Sequence, residues 1–320
     1  MRLIINHGRI YHPSLDTVDE LESAISLSPN VHLVNGRRPF SLIFGHLLWE
    51  LYSRSLLHPG ALSATGYSQH LDDYFIVMMG PRFNNCLPYF ALPANKYIYL
   101  FDAWPDTYER IVKFITQFGV RNLFVSSKQS ALQLNTMASS NFVHWIPEGV
   151  DPTQYHHKPP NQRRIDVLQL GRKWDSYHER IFQPLEDAGY VYLFEKAKGQ
   201  LVFPSRQEFI NGLSDSKISI CFPSNLTHPS RAGGISTVTT RYFQSMASKC
   251  LVVGSSPPEL NDIFSYPPVI EVDLDDPAGQ IKSILSRYNK YIDLIESNYE
   301  LVCQNHTWER RWQEMRSYIS

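Results

Sequence analysis

The chain of 320 residues reads as an α/β protein made of two Rossmann-like domains. Three observations carry that reading. Short apolar runs alternate with stretches of helical periodicity along most of the length, which is the pattern of strand–helix–strand units in a parallel sheet. The length suits two cores of about 150 residues each better than a single one. Near the middle, Pro147-Glu148-Gly149-Val150-Asp151-Pro152 and the polar residues up to Arg164 separate one such series from the next, as a linker does.

In the first series the apolar runs predict strands over 2–6, 31–34, 74–79, 97–101, 123–126 and 142–146, with helices over 41–55 and 107–118. Asp106 or Thr107 can cap the second helix, and Gly119 can end it. After the linker, a strand is expected over 165–170, a turn over 171–174, a helix over 177–188 and a strand over 191–194. A helix over 206–213 and a strand over 218–222 follow. The polar loop from Gly233 then leads into a helix over 242–248, strands over 250–253 and 269–272, and a long helical tail from Pro277. The expected boundaries are 1–150, a linker over 151–164, a second domain over 165–305 and a closing helix over 306–320. In that closing helix, Trp308 and Trp312 stand four apart and share one face.

Composition narrows the function classes. With 43% hydrophobic and 13% aromatic residues the chain can bury sizeable cores, which excludes a disordered protein. A formal net charge of -1 gives no basic surface, so no nucleic-acid partner is expected. Cys86, Cys221, Cys250 and Cys303 are scattered without paired spacing and read as reduced, buried thiols. No leader pattern opens the chain, and no run of about 18 apolar residues occurs. A cytoplasmic protein without a transmembrane segment is expected, although one face can still touch a bilayer.

The chemistry concentrates in the second half. From Gly233 and Gly234 to Gly254, a polar loop runs into a short amphipathic helix and then an apolar strand. Loop amides and the positive end of a helix can bind an anion, and Arg241 adds a forked cationic donor. A cation at a helix start opposes the dipole, so an intervening anion would explain Arg241 there. The alternative is an ion pair with Glu259 or Asp262. Gly171-Arg172-Lys173 follows a predicted strand at the carboxyl edge, where α/β sheets bind ligands. Ser224 and His228 follow the strand over 218–222 and are expected beside the same cleft. Asp273-Leu274-Asp275 has a metal-binding spacing, but with Asp276-Pro277 behind it the run reads as a helix cap, and no metal is expected.

The run Arg241-Tyr242-Phe243-Gln244-Ser245-Met246-Ala247-Ser248-Lys249 resembles the Arg-x-Phe-Glu-x-Met-Ala-x-Gly pattern of spore-maturation-type glycosyltransferases, nucleotide-sugar enzymes of the GT-B architecture. Trp145-Ile146-Pro147-Glu148-Gly149-Val150-Asp151-Pro152 is similar to the interdomain passage of that family. The resemblance runs from Trp145 to the end, and the first 140 residues agree in architecture alone. It implies two domains facing across a cleft, with the closing helix crossing back to the first. It also implies donor binding by Gly171, Arg172, Lys173, Ser224, His228, Gly233, Gly234, Ser236, Thr237, Thr239, Thr240, Arg241 and Gln244. Arg172 or Lys173 would stabilise the nucleoside-diphosphate leaving group, because negative charge grows there as the glycosidic bond breaks. The chain departs from the pattern at Gln244, where the family has Glu, and at Lys249, where it has Gly. Eight positions before Gln244, the other carboxylate of the related Glu-x7-Glu group is replaced by Ser236. A Gln amide can still bond ribose hydroxyls.

The first domain would hold the acceptor, which is a small molecule, a glycan or a lipid-linked sugar. An inverting reaction would need a base such as His7, His46 or Asp102, whereas in a retaining one the donor phosphate would take the proton. The residues leave both open. No cofactor is expected beyond the nucleotide-sugar substrate, whose base can be that of UDP or GDP. A non-catalytic module of the same fold and a nucleotide-sugar epimerase remain the alternatives.

Overall fold

The structure is a computed structural model that describes residues 1–5, 15–35, 39–54, 56, 73–87, 89–171, 173–197 and 200–319. Two compact units divide it, Met1–Pro147 with Arg311–Ser320 and Glu148–Arg310. The expected linker segment 151–164 thus lies within the second unit.

The first unit runs β1 (Arg2–Ile5), α1 (Asp16–Ser26), β2 (His32–Asn35), α2 (Pro39–Ser53), β3 (Tyr74–Met78), β4 (Lys96–Leu100), α3 (Tyr108–Gln117), β5 (Asn122–Val125), α4 (Lys128–Ala138) and β6 (Val143–Trp145). Its six strands form one parallel sheet in the order β2-β1-β3-β4-β5-β6. β3 and β4 are buried along their whole length, as strands covered on both faces must be. On one face Phe83, Phe114 and Phe118 stack at centroid distances of 3.9 and 4.5 Å. On α3 the apolar residues Ile111, Phe114 and Ile115 turn inward and the charged ones outward. The last ten residues complete this unit: Trp312 sets its ring edge-on to Phe75 at 5.3 Å and donates Nε1–H to Ser28 Oγ at 2.6 Å. Tyr318 stacks on His144 at 4.0 Å.

The second unit runs β7 (Ile165–Gln169), α5 (Asp175–Asp187), β8 (Tyr192–Phe194), α6 (Arg206–Ser214), β9 (Ser216–Cys221), α7 (Ser224–Thr227), α8 (Pro229–Ala232), α9 (Thr240–Ala247), β10 (Leu251–Gly254), α10 (Leu260–Ile263), β11 (Ile270–Glu271), α11 (Pro277–Ser286), α12 (Ile292–Asn305) and α13 (Trp308–Arg316), the last ending in the first unit. The sheet order is β11-β10-β9-β7-β8, again all parallel. Both units are therefore doubly wound α/β folds. Their first three strands follow the 2-1-3 order rather than 3-2-1. The expected helical tail is broken into three helices, with a 3₁₀ turn over Tyr288–Tyr291 between the first two. Two helices that the sequence reading omits, α1 and α4, fill crossovers in the first unit.

A buried guanidinium ties the segment before β7 to the sheet. Arg163, 6% exposed, donates from Nε to the carbonyl of Lys158 (2.9 Å), from Nη1 to those of Ser216 (2.5 Å) and Lys249 (2.9 Å), and from Nη2 to that of Ser248 (3.1 Å). These carbonyls belong to three separate stretches, so one planar fork joins the start of β7, the start of β9 and the end of α9. Lys158 and Arg164 both bond the buried Asp215 beside it, each at 2.5 Å. Arg163→Met should lower unfolding free energy by about 3 kcal/mol through unpaired buried carbonyls, and Arg163→Lys should not restore it, as urea denaturation would register.

Candidate functional site

In the second sheet β7 lies between β8 and β9, and the connection leaving β7 goes to the β8 side while the one leaving β9 goes to the β10 side. The carboxyl ends of β7 and β9 therefore border a crevice that no crossover fills, the usual ligand position in such folds. Gly171 follows β7 with φ of +75°, and a Cβ there would meet nothing within 4 Å. Its glycine is required by backbone conformation, not by space. Arg172 lies outside the described residues. Lys173 donates to the Glu195 carbonyl at 3.0 Å and sits 4.7 Å above the Phe194 ring.

Behind this turn runs a buried polar chain. Tyr192 donates its hydroxyl proton to Gln169 Oε1 at 2.5 Å, so His178 Nδ1, 2.8 Å from the Tyr192 hydroxyl oxygen, carries the hydrogen that this oxygen accepts. Burial first and the Lys173 charge second push the His178 imidazole below its ordinary pKa, while burial holds the Tyr192 phenol well above its own.

After β9, Ser224 opens α7 and its carbonyl accepts from the His228 N–H at 2.7 Å. Gly233 ends α8 with φ of +55°, and Gly234 follows. The loop from Ser236 to Thr239 is then held by two buried carboxylates. Glu259 Oε2 accepts from Thr237 Oγ1 and from the Val238 N–H, both at 2.8 Å. Glu148 Oε2 accepts from the N–H of Thr240, the first residue of α9, at 2.7 Å. Thr240 Oγ1 donates to the Gly149 carbonyl at 3.1 Å. The hydroxyl protons of Thr237 and Thr240 are thus directed into the protein. Thr239 has the extended backbone of an N-cap (φ -111°, ψ 161°), without a side-chain capping bond.

Two side chains on α9 are differently placed. Arg241 lies 5.1 Å above the Phe209 ring and makes no ion pair among the described residues. The expected alternative of a bond to Glu259 is not formed. Three residues on, Gln244 is 1% exposed and its Oε1 has no hydrogen-bond partner among the described residues. Residues three apart share a helix face. An unpaired cation and an orphaned acceptor thus stand together on α9. Lys249, in place of the family's glycine, has φ of +54°, the left-handed backbone that glycine adopts more easily. Its ammonium bonds Glu296 at 2.5 Å and lies 4.5 Å above the Tyr299 ring.

The acidic run behaves as a cap. Asp273 Oδ1 accepts from the N–H groups of Asp275 (2.8 Å) and Asp276 (3.3 Å), and Asp276 caps α11 by accepting from Gly279 (3.0 Å). Among the described residues no group of three or more His, Cys, Asp or Glu is placed to hold a metal ion. In the first unit, Asp102 stands half-buried beyond β4 with its N–H on the Met79 carbonyl at 2.7 Å, and His46 is exposed on α2. His7 lies outside the described residues. All four cysteines are free, and no described helix is long and apolar enough to cross a membrane. Sequence reasoning did not find the loop-holding role of Glu148 or Glu259. Their only sequence signal is position, beside Pro147 and Pro258 in the passages flanking the loop's elements.

The two doubly wound parallel sheets have the fold of solved GT-B glycosyltransferases. Residues 161–317 match the glycosyl transferase-like family. The solved structures agree on the fold. HepE (Alr3699) of Anabaena, solved with UDP-glucose, superposes with a TM-score of 0.60 at 9% identity over 99% of this chain and 98% of that one. Sucrose-phosphate synthase (tll1590) of Thermosynechococcus elongatus gives 0.62 at 12% identity over 99% and 97%. TarM gives 0.56 at 11% identity over 77% of this chain, which spans 55% of the TarM chain. No curated protein matches by sequence.

The orphaned oxygen on α9 has a measurable cost. Gln244→Leu should raise the stability of the ligand-free protein by about 1 kcal/mol, since it removes a buried acceptor without a partner and keeps the volume. A urea midpoint below that of the parent would show that the amide is satisfied in solution.

Proposed function

We propose that the chain transfers a sugar from a nucleotide-diphospho-sugar to an acceptor hydroxyl, with the donor in the crevice at the carboxyl ends of β7 and β9. The observation that carries this reading is the pair on α9, an unpaired guanidinium and a buried acceptor without a donor. A diphosphate supplies the anion for the first, and a ribose hydroxyl supplies the proton for the second. HepE, whose fold the chain shares, was solved with such a donor.

In the proposed reaction the acceptor oxygen bonds to the anomeric carbon while the bond from that carbon to the diphosphate oxygen breaks. The nucleoside diphosphate leaves with both electrons. Arg241 and the Gly171–Lys173 turn stabilise the charge that grows on it, which does the electrostatic work without a metal. The acceptor's proton goes to a protein base in an inverting course, or to the donor phosphate in a retaining one. The absence of carboxylates at Ser236 and Gln244 supports a second reading, a nucleotide-binding module without transfer.

Release of free nucleoside diphosphate from UDP- or GDP-sugars only when acceptor is present would establish transfer; binding without acceptor-dependent release would establish the module. Activity should survive excess chelator, and loss that manganese or magnesium restores would assign Asp273 and Asp275 to a metal. Arg241→Ala should weaken nucleoside-diphosphate binding by about 1.5–3 kcal/mol with little effect on the bare nucleoside, as calorimetry would register. Equal losses for both ligands would make Arg241 structural.

A further inference from the structure

The loop before α9 is held by charges, not by apolar packing alone. Glu259 is 2% exposed and Glu148 7%. Removing a carboxylate from water is costly, and an apolar side chain could fill either place without that cost. Here each carboxylate is spent on a main-chain N–H: Glu259 on Val238 and Glu148 on Thr240, two residues apart on either side of Thr239. Glu259 also takes the hydroxyl of Thr237, itself 3% exposed, with the same oxygen. The extended backbone at Thr239 is thereby pinned on both sides just where the chain turns into the helix that carries Arg241 and Gln244.

The Glu148 contact has a second effect. Its oxygen occupies the first N–H of α9, the place where an anion meets a helix N-terminus. Arg241, one residue further along α9, makes no ion pair among the described residues.

We propose that Glu259 is a positioning residue for donor binding, acting through Thr237 and Val238 to fix the entry into α9 and with it the aim of Arg241 at the diphosphate. The inference rests on the donor reading above. Glu259 does not touch the donor. It holds the loop whose geometry sets where the guanidinium stands.

The test is calorimetric binding of UDP, GDP and uridine to the parent chain and to Glu259→Gln, Thr237→Val, Thr237→Ser and the Glu259→Gln/Thr237→Val double variant, each checked for native circular dichroism. Glu259→Gln keeps the shape and removes the charge. It should weaken the diphosphate that the parent binds by about tenfold, the equivalent of one net hydrogen bond, and leave uridine affinity within about twofold. Thr237→Val should produce a loss in the same direction, and Thr237→Ser, which keeps the hydroxyl, should bind as the parent does. If both residues act through their shared bond, the double variant should bind no worse than the weaker single one. Parent-like binding by folded Glu259→Gln and Thr237→Val would overturn the positioning role, as would losses that multiply in the double variant. Failure of the parent to bind either diphosphate would overturn the donor reading and this inference with it, a result distinct from the first two. Should Glu259→Gln fail to fold, the Thr237 pair decides alone: loss with Val and retention with Ser support the inference, and equal binding by both overturns it.

Discussion

A parallel sheet must carry its chain back over one face after every strand, and the whole site follows from where the second sheet changes faces. β7 leads to β8 on one side while β9 lies on the other. Their carboxyl ends are therefore left without a covering crossover. Everything placed there is a consequence: the left-handed Gly171, the Lys173 that leans on Phe194, the loop from Gly233, and α9. β10 must then pass close beside β9. At Gly254 a Cβ would come within 1.8 Å of the Cys221 carbonyl oxygen, so only glycine permits that approach. Tyr242 fastens the same place, its one hydroxyl proton shared between the Ser255 carbonyl at 2.7 Å and the more distant Cys221 carbonyl at 3.2 Å.

Two kinds of buried polar group serve this arrangement. Arg163 has four carbonyl partners and joins pieces of backbone that would otherwise end unpaired. Glu148 and Glu259 do the complementary work on N–H groups. In these three residues buried charge is used chiefly on main chain, at the places where strands and helices end and the regular ladder stops supplying partners. Gln244 differs from these three. Its oxygen is buried and has no hydrogen-bond donor among the described residues.

Much of this is legible in residue order. The strands could be read because runs such as Tyr74 to Met78 and Leu251 to Val253 are continuous and apolar, as doubly covered strands are. The α9 region could be read because its pattern is local: Arg241, Phe243 and Gln244 lie within one turn of helix. α1 was open to the same reading, since Val18, Leu21 and Ile25 keep helical spacing and are buried. α4 was not, because its apolar residues do not gather on one face, and Ser127 starts it with a side-chain cap. The two carboxylates were out of reach for a different reason. Glu148 finds its partner 92 residues away and Glu259 finds Val238 21 residues back, and a main-chain N–H carries no residue-specific mark. The Lys249 backbone shows the converse. The resemblance expects glycine there, and the left-handed angle persists although the side chain has changed, with Glu296 and Tyr299 holding the lysine in place.

The discontinuity of the first unit bears on how the chain is made. Trp312 lies against Phe75 and Ser28, and Tyr318 against His144 and Asn122, so the piece over 311–320 supplies contacts to strands formed from residues translated much earlier. A ribosome delivers the second unit, Glu148–Arg310, before it delivers that piece. The unit whose strands emerge first of the two is consequently completed after the other, and until residues 311–320 follow its β3 and β5 present Phe75 and Phe124 without the aromatic cover that Trp312 and Tyr318 bring. Nascent chains stalled short of residue 311 should therefore be the species that chaperones hold.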